Sequence, residues 1–486
     1  MERAESSACR VRLLRLTQIF TAVCSPQLAK NDITCKIVFH PNIVLHTQAD
    51  GKTLTALQRQ APIRRNNTMT SSNEKWRYAA DAVSMITSGM KVAIETLSAE
   101  PLVLTSALWE RATDLKDLTV ISGLLMNYSF LKSRARDNIR LRTWFMPGTL
   151  LKDATEKFDA EFLPLTSVQA VRYFESAGDI DVALVQVSPA NAQGMHSFGI
   201  NTSHTRALVK SAKLVIAEVN EEMPFTLGDS LIHESELDIL VASNRPLPEF
   251  PNRGADASDI VIGRRAAEFV QDGSTLQVGI GSIPGAFVEA LIQLGRKDLV
   301  FISLLTDAVR KLIEAGCCVA QNPKAVLVQT MGTRDLYRWV DHNPAIAMVD
   351  ALTTHSLESL HARKNIVSVN SALEVDLYGQ VNSELLDGKQ AGGIGGSMDF
   401  AIGAQFEGAL SIFALRSTTT SGASRILASF KGEGPVTIPR SLVHIVVTEH
   451  GVADLRNLSV RERALALANI AHPTYRQSLL DAATTL

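Results

Sequence analysis

From Ser72 onward the chain alternates short apolar runs with helix-length amphipathic stretches, and this alternation constrains its fold more than any other feature. Lys91 to Ile94, Leu118 to Ser122, Val182 to Val187 and Leu214 to Val219 read as strands, with helices at Pro101 to Trp109 and Thr205 to Ala212. The pattern resumes with a helix at Ile260 to Val270 and strands at Thr275 to Val278, Leu299 to Ser303, Ala325 to Thr330, Asn365 to Val369, Ser411 to Ala414 and Val443 to Val447. Strands covered on both faces need such apolar runs, and parallel neighbours need a crossover, usually helical, between them. The fold class is therefore α/β with mainly parallel sheets. Ser72 is a cap for a helix carrying Trp76, Ala79, Ala80, Val83 and Ile86, stopped by Gly89. Ser459 with Glu462 three residues on is a capping box for the last helix.

The 486 residues suffice for two or three domains. Between Asn244 and Asp259 three prolines, a glycine and several turn formers mark a boundary. It separates a domain at 71–250 from one at 251–486. Residues 1–70 stand apart, with three of the five cysteines and weak periodicity. They read as an extra segment outside the native fold, disordered or upstream of a start at Met69. Arg3, Arg10, Arg12 and Arg15 accompany Glu2 and Glu5, an imperfect match to a transit peptide. A cytoplasmic location is expected, with a mitochondrial one as the alternative if the segment is such a peptide.

An apolar share of 46% with 20% charged residues belongs to a globular chain, and a net charge of -2 gives no electrostatic case for nucleic acid or an anionic membrane. No apolar run reaches 18 residues, so no membrane span is expected. Cys9, Cys24, Cys35, Cys317 and Cys318 suit neither a disulfide framework nor a zinc site, which favours a reducing compartment.

Chemistry is expected around Ile366 to Ser383. After Asn370 the pattern alternates, with Leu373, Val375 and Leu377 on one face and Ala372, Glu374 and Asp376 on the other. If the acidic face lines a cleft, desolvation and mutual repulsion tune one carboxylate as nucleophile or base. The alternative is an edge strand with a solvated acidic face. Gly279-Ile280-Gly281 with Pro284-Gly285 lies between a strand and a helix but lacks the third glycine and the downstream acid of a dinucleotide loop, Asp307 being too far. Its amides can still approach an anionic or carbonyl ligand, unless the glycines serve only a tight turn. Gly392 to Gly396 is denser in glycine than a turn needs, and unobstructed N–H groups are what a developing oxyanion requires. Neither His450 nor the Ser230/His233 pair carries a recognisable catalytic pattern, and no His, Cys and Asp cluster has metal-ligand spacing.

Asn370-Ser371-Ala372-Leu373-Glu374-Val375-Asp376 with Gly379-Gln380-Val381-Asn382 resembles the glutamate motif of the acetyl-CoA hydrolase/transferase family, which includes the succinyl-CoA:acetate and 4-hydroxybutyrate CoA-transferases. Ser188-Pro189, Ala212 to Asn220, Met223-Pro224 and Gly228-Asp229-Ser230 resemble its amino-terminal half. Gly279 to Pro284, Met331-Gly332-Thr333, Gly393 to Ser397 with Asp399-Phe400, and Thr448 to Arg456 resemble its carboxyl-terminal half.

The resemblance implies two related CoA-transferase-like α/β domains with an active-site cleft between them. It implies an acyl-CoA:carboxylate CoA-transferase in which Glu374 attacks the acyl-CoA carbonyl, giving a mixed anhydride and then a glutamyl-CoA thioester. Gly395 and Gly396 then serve as oxyanion donors, while Gly279, Gly281, Ile283, Pro284, Asn370, Gly393 and Ile394 contact the coenzyme. Coenzyme A is a substrate, with a carboxylate acceptor, no permanently bound cofactor or metal, and a homo-oligomeric assembly. Hydrolysis through the same Glu374 is the alternative, and a non-catalytic acyl-CoA-binding relative a second one. The latter is motivated by a departure: Ile302-Ser303-Leu304-Leu305-Thr306 precede Asp307 where a polar His-Ser-Glu-like segment is expected, and Ala308 replaces a usual glycine.

Overall fold

The structure is a computed structural model that describes residues 36–40, 43–47, 54–58, 72–146, 160–177, 179–251, 254–363, 365–386, 388–430 and 435–486. The chain divides into two compact units, Met1–Met69 and Thr70–Leu486. In the first, β1 (Lys36–His40), β2 (Ile43–Thr47) and β3 (Leu54–Gln58) form an antiparallel sheet, in a segment whose sequence predicts no regular structure. Its remaining residues, Met69 and the four arginines included, lie outside the described ones.

The second unit is built on two large sheets, with three small ones beside them among the described residues. The first has β4 (Lys91–Ile94), β5 (Leu118–Ser122), β6 (Ile139–Thr143), β7 (Ala160–Phe162), β8 (Ile180–Val187), β9 (Ala212–Asn220) and β10 (Ile239–Ser243). Its order is β10-β9-β8-β4-β5-β6-β7, with every neighbouring pair parallel. Val182, Leu184 and Ile216 enter one core while Ala183, Val185, Val215 and Ala217 enter another. Both faces of β8 and β9 are thus covered, which is why their sequences are apolar throughout.

The second sheet has β11 (Thr275–Val278), β12 (Val300–Leu305), β13 (Ala325–Thr330), β14 (Ile346–Met348), β15 (Ile366–Ser371), β16 (Leu410–Ala414), β17 (Ile445–Thr448) and β18 (Gly451–Asp454). Its order is β14-β13-β12-β11-β15-β16-β17-β18, parallel except for the final hairpin. Since β11 lies between β12 and β15, the strand order reverses there, and in open α/β sheets a crevice forms outside the carboxyl ends of such strands. Four helices matter below: α1 (Ala257–Ala267), α2 (Ser282–Gln293), α3 (Ala351–His355) and α4 (Ser397–Gly403). Asp256 and Asp259 form a capping box on α1, and the Asp350 carboxylate accepts from Thr353 N–H to cap α3.

The proline-rich stretch Asn244 to Asp259 runs between β10 and the start of α1. The helix expected from Ser72 is instead two pieces, Ser72–Lys75 and Ala79–Ser84. Trp76 interrupts it by bridging Leu240, and Arg77 N–H donates to the Leu240 carbonyl at 2.9 Å, so β10 takes the backbone bonds that a continuous helix would use.

Backbone hydrogen bonds join the two halves. Thr202 N–H donates to Val328 O at 2.9 Å, Thr330 N–H to Ile200 O at 2.8 Å, and Ala351 N–H to Ser203 O at 2.9 Å. On another side of the seam Met146 N–H donates to Gly392 O at 3.0 Å and Ser167 N–H to Gly395 O at 3.2 Å.

Candidate active site

A cavity of about 420 Å³ lies where the second sheet's strand ends meet the first half. The first half contributes Thr96, Trp144, Ser167, Asn201, Ser203 and His204, and the second contributes Gln277, Gly279, Ser303, Gln329, His355 and Asn370 together with Gly393 to Ser397. Six of the sequence-predicted positions therefore converge on one space: Gly279, Asn370, Gly393, Ile394, Gly395 and Gly396. Gly281, Ile283, Pro284 and Glu374 are not among its lining residues. Gly281, at φ +124°, shapes the turn into α2, while Ile283 and Pro284 are buried in that helix. Ile280 stands in their place on the wall.

The acidic face expected after Asn370 does not line the cavity. β15 ends at Ser371, and Glu374–Asp376 is a separate short strand, paired with Val381–Asn382 and with Ile426–Leu427. Asp376 is fully buried and accepts from Tyr378 N–H at 3.1 Å, Gln380 N–H at 2.9 Å and Gln380 Nε2 at 2.7 Å. Burial pushes its carboxyl up against these bonds, and its work is to tie the turn at Gly379. Glu374 is half-buried and accepts from Asn382 Nδ2 at 2.9 Å. Arg425, missed by the sequence, brings a positive charge close to Glu374: Val375 N–H donates to the Arg425 carbonyl at 2.9 Å, and the field of Glu374 opposes the burial that lowers the guanidinium.

The glycine run has a tertiary reason. A β-carbon on Gly393 would lie 2.2 Å from Trp144 O, so only glycine lets this strand of chain approach the first half. Gly395, at φ +55°, bridges Thr166. A β-carbon on Gly396 would lie 2.7 Å from His355 Nε2, which places its backbone directly beneath that imidazole.

Three polar groupings line or back the cavity. Gln277 and Asn370 exchange side-chain amide hydrogen bonds, both 3.2 Å, and face the same space. Behind Thr96, the buried Glu95 accepts from Thr96 N–H at 3.0 Å and Asn201 Nδ2 at 2.9 Å, with His204 Nε2 3.7 Å away. Burial pushes Glu95 up to about 7 and His204 down to about 4, so the histidine is neutral at neutral pH. In the third, Ser303 Oγ lies 3.3 Å from His355 Nε2. Among the described residues, none of those lining the cavity is a carboxylate. Sequence singled out Ser303 only as a departure and gave no signal for His355 or Glu95, whose contacts with Ser303 and Asn201 span 52 and 106 positions. Among the described residues no helix is long and apolar enough to cross a membrane, and no group of three or more His, Cys, Asp or Glu is placed to hold a metal ion.

Two mainly parallel sheets meeting at their strand ends around a glycine-walled cavity define a mixed α/β architecture of the CoA-transferase type. The chain belongs to the acetyl-CoA hydrolase/transferase family: residues 61–250 match its N-terminal domain and residues 332–483 its C-terminal domain. It is 36% identical over 420 residues to the 4-hydroxybutyrate coenzyme A transferase of Clostridium kluyveri, covering 84% of this chain and 97% of that one. It is 26% identical over 359 residues to an acetyl-CoA hydrolase of Kluyveromyces lactis, covering 68% and 65%. Among solved structures, RipA from Yersinia pestis matches with a TM-score of 0.79 and 32% identity, covering 85% of this chain and 98% of RipA. A 4-hydroxybutyrate CoA-transferase from Porphyromonas gingivalis matches with a TM-score of 0.72 and 30% identity, covering 85% and 98%.

Proposed function

We propose that the protein is an acyl-CoA:carboxylate CoA-transferase for short-chain acyl groups, acting in the cavity between its halves. The observation that carries this reading is the convergence of Gly279, Asn370 and Gly393 to Gly396, from three separated stretches, on one space. Similarity to transferases at 31–36% identity over 84% of the chain supports it. Glycine amides and the Gln277–Asn370 pair suit an uncharged thioester and its pantetheine amides, and cavities with few convergent polar groups are typical of such sites. Glu374 is the proposed nucleophile: its carboxylate attacks the acyl-CoA carbonyl, the released thiolate attacks the glutamyl carbonyl, and an acceptor carboxylate takes the coenzyme by the reverse steps. To act, Glu374 must exchange its Asn382 hydrogen bond for the thioester, because its side chain is not among those lining the cavity. The second reading is hydrolysis through the same Glu374, with water in place of the acceptor carboxylate, supported by similarity to an acetyl-CoA hydrolase.

Thiol release from acetyl-CoA, with and without acetate, propionate and succinate, tests the proposal in wild type and Glu374→Gln. Transfer predicts release that depends on an added carboxylate and a glutamyl-CoA thioester trapped on Glu374 by borohydride. Release indifferent to every carboxylate, and unchanged in Glu374→Gln, would refute it.

A further inference from the structure

The wall of the cavity carries no formal charge. Among the described residues that line it there is no Lys, Arg, Asp or Glu, and its titratable side chains are His204 and His355. Burial pulls these imidazoles down to about 4 and about 3, so both are neutral at neutral pH. Two carboxyls back the wall. Glu95 lies behind Thr96, and Asp399 accepts from Val168 N–H at 3.2 Å beside the lining Ser167, with burial pushing its carboxyl up to about 6. Whatever fraction of either is ionised repels an anion brought into the cavity.

An irregularity in the second sheet adds apolar surface to this wall. At Ser303, with φ +84°, the pairing of β12 with β13 skips a residue: Ser303 opposes Leu327 and Leu304 opposes Gln329, leaving Val328 out. Neighbours on a regular strand face opposite sides, yet Ser303 and Leu304 both line the cavity, as do Val328 and Gln329, because a bulge re-aims side chains. Leu304 and Val328 thereby join Trp144, Phe145, Met331 and Phe400 around the space. Trp144 is held edge-on to His204 with ring centres 5.1 Å apart, and Phe400 packs on His355 at 4.5 Å. The cavity volume of about 420 Å³ lies within the range of about 300–1,000 Å³ typical of sites for ligands of many atoms, and a two-carbon acyl group leaves much of it unfilled.

We infer that the cavity selects its substrate by charge: it takes acyl groups that end in hydrocarbon, butyryl and longer or branched monocarboxylic ones, with the matching monocarboxylates as acceptors, and turns away succinyl and other dicarboxylic groups. The inference deepens the reading that acyl-CoA chemistry takes place in this cavity, and rests on it. One anionic end is provided for, since backbone N–H groups of the glycine run can donate to the reacting carboxylate. A second carboxylate at the far end meets hydrocarbon and neutral imidazoles. Stripping its water there with no cation to pair it costs more than burial of the chain returns. A hydrocarbon end gains instead, each buried methylene being worth about four-fold in binding.

The test compares butyryl-CoA with succinyl-CoA as donors to the full chain, with labelled acetate as acceptor and labelled acetyl-CoA as the product measured. Succinyl is the butyryl chain with a carboxylate in place of its methyl group, so the ratio of their kcat/KM values reports the charge. The inference predicts a ratio of at least about a hundred in favour of butyryl-CoA. A ratio of one or below overturns it and leaves the transferase reading standing. Gln329→Lys, which sets a cation on the wall, should shrink the ratio at least about ten-fold by raising succinyl-CoA turnover; an unchanged ratio in the folded variant also overturns the inference, and the wild-type ratio decides alone if the variant does not fold. If thiol release proves independent of acetate, the transferase reading fails while the same ratio, read from release, still tests the selection. No release from any acyl-CoA overturns both.

Discussion

Gly395 and Gly396 are adjacent, yet alanine at each should do different things. Gly396 has φ -83° and ψ -6°, values alanine adopts freely, so its cost is contact alone. The new β-carbon would lie 2.7 Å from His355 Nε2, 2.8 Å from Cδ2 and 3.4 Å from Phe400 Cε2. Ordinary contact begins at about 3.5 Å, so the imidazole must retreat by roughly 0.8 Å. Its 3.3 Å contact with Ser303 Oγ, on the wall of the same cavity, is disturbed by that shift. Moving one wall of a substrate cavity by most of an ångström can cost about a hundred-fold, so thiol release in Gly396→Ala should fall by about that much, near 3 kcal/mol of barrier. At Gly395 nothing lies within 4 Å of a β-carbon, but φ is +55°. Alanine there costs about 1–2 kcal/mol of backbone strain, partly offset by a less flexible unfolded chain. Gly395→Ala should therefore lose stability and much less turnover. The assay is steady-state thiol release from acetyl-CoA on both variants, with coenzyme A binding and chemical denaturation in parallel. Equal loss of kcat in the two, or a larger loss in Gly395→Ala, would refute the assignment of His355 as the group that Gly396 protects.

Two further outcomes follow from buried contacts. In the folded chain Glu95 holds its proton up to about 7 rather than 4.5, so its favourable contribution is complete below pH 4.5 and is lost as pH rises through 7. Glu95→Gln keeps an acceptor for Thr96 N–H and Asn201 but cannot ionise, so its stability relative to wild type should grow between pH 5 and pH 8, by on the order of 3 kcal/mol. Denaturant titrations at both pH values check this, and a difference that is flat or shrinks contradicts the buried neutral carboxyl. Gly393→Ala puts a β-carbon 2.2 Å from Trp144 O and should destabilise the seam by about 1–3 kcal/mol, with an unchanged denaturation midpoint as the contrary result.

The strands were legible because burial on both faces leaves a composition that sequence cannot hide. Leu118–Ser122, Thr275–Val278 and Ala325–Thr330 have the bounds that their apolar runs predict. Period-two alternation put Glu374 and Asp376 together but does not report the strand end at Ser371 or the Gln380 bonds that occupy Asp376. Gly393 to Gly396 stood out by density, but the close approach to Trp144 O and to His355 is tertiary and leaves no local mark. Ser303 and His355 are 52 positions apart and meet only through packing of β12 against α3. The Ser303 segment was visible only as an oddity of composition, since φ and register are not written in residue identity.

The central claim is that acyl-CoA thioester chemistry takes place in the cavity between the halves. A crystal structure with a non-cleavable ketone analogue of acetyl-CoA tests it most directly. The account predicts the carbonyl within reach of Ser303 Oγ and the Gly396 backbone, with the pantetheine beside Gln277 and Asn370. An analogue bound instead only in the larger surface cleft lined by Lys132, Arg136 and Arg245, with the cavity empty, would contradict it.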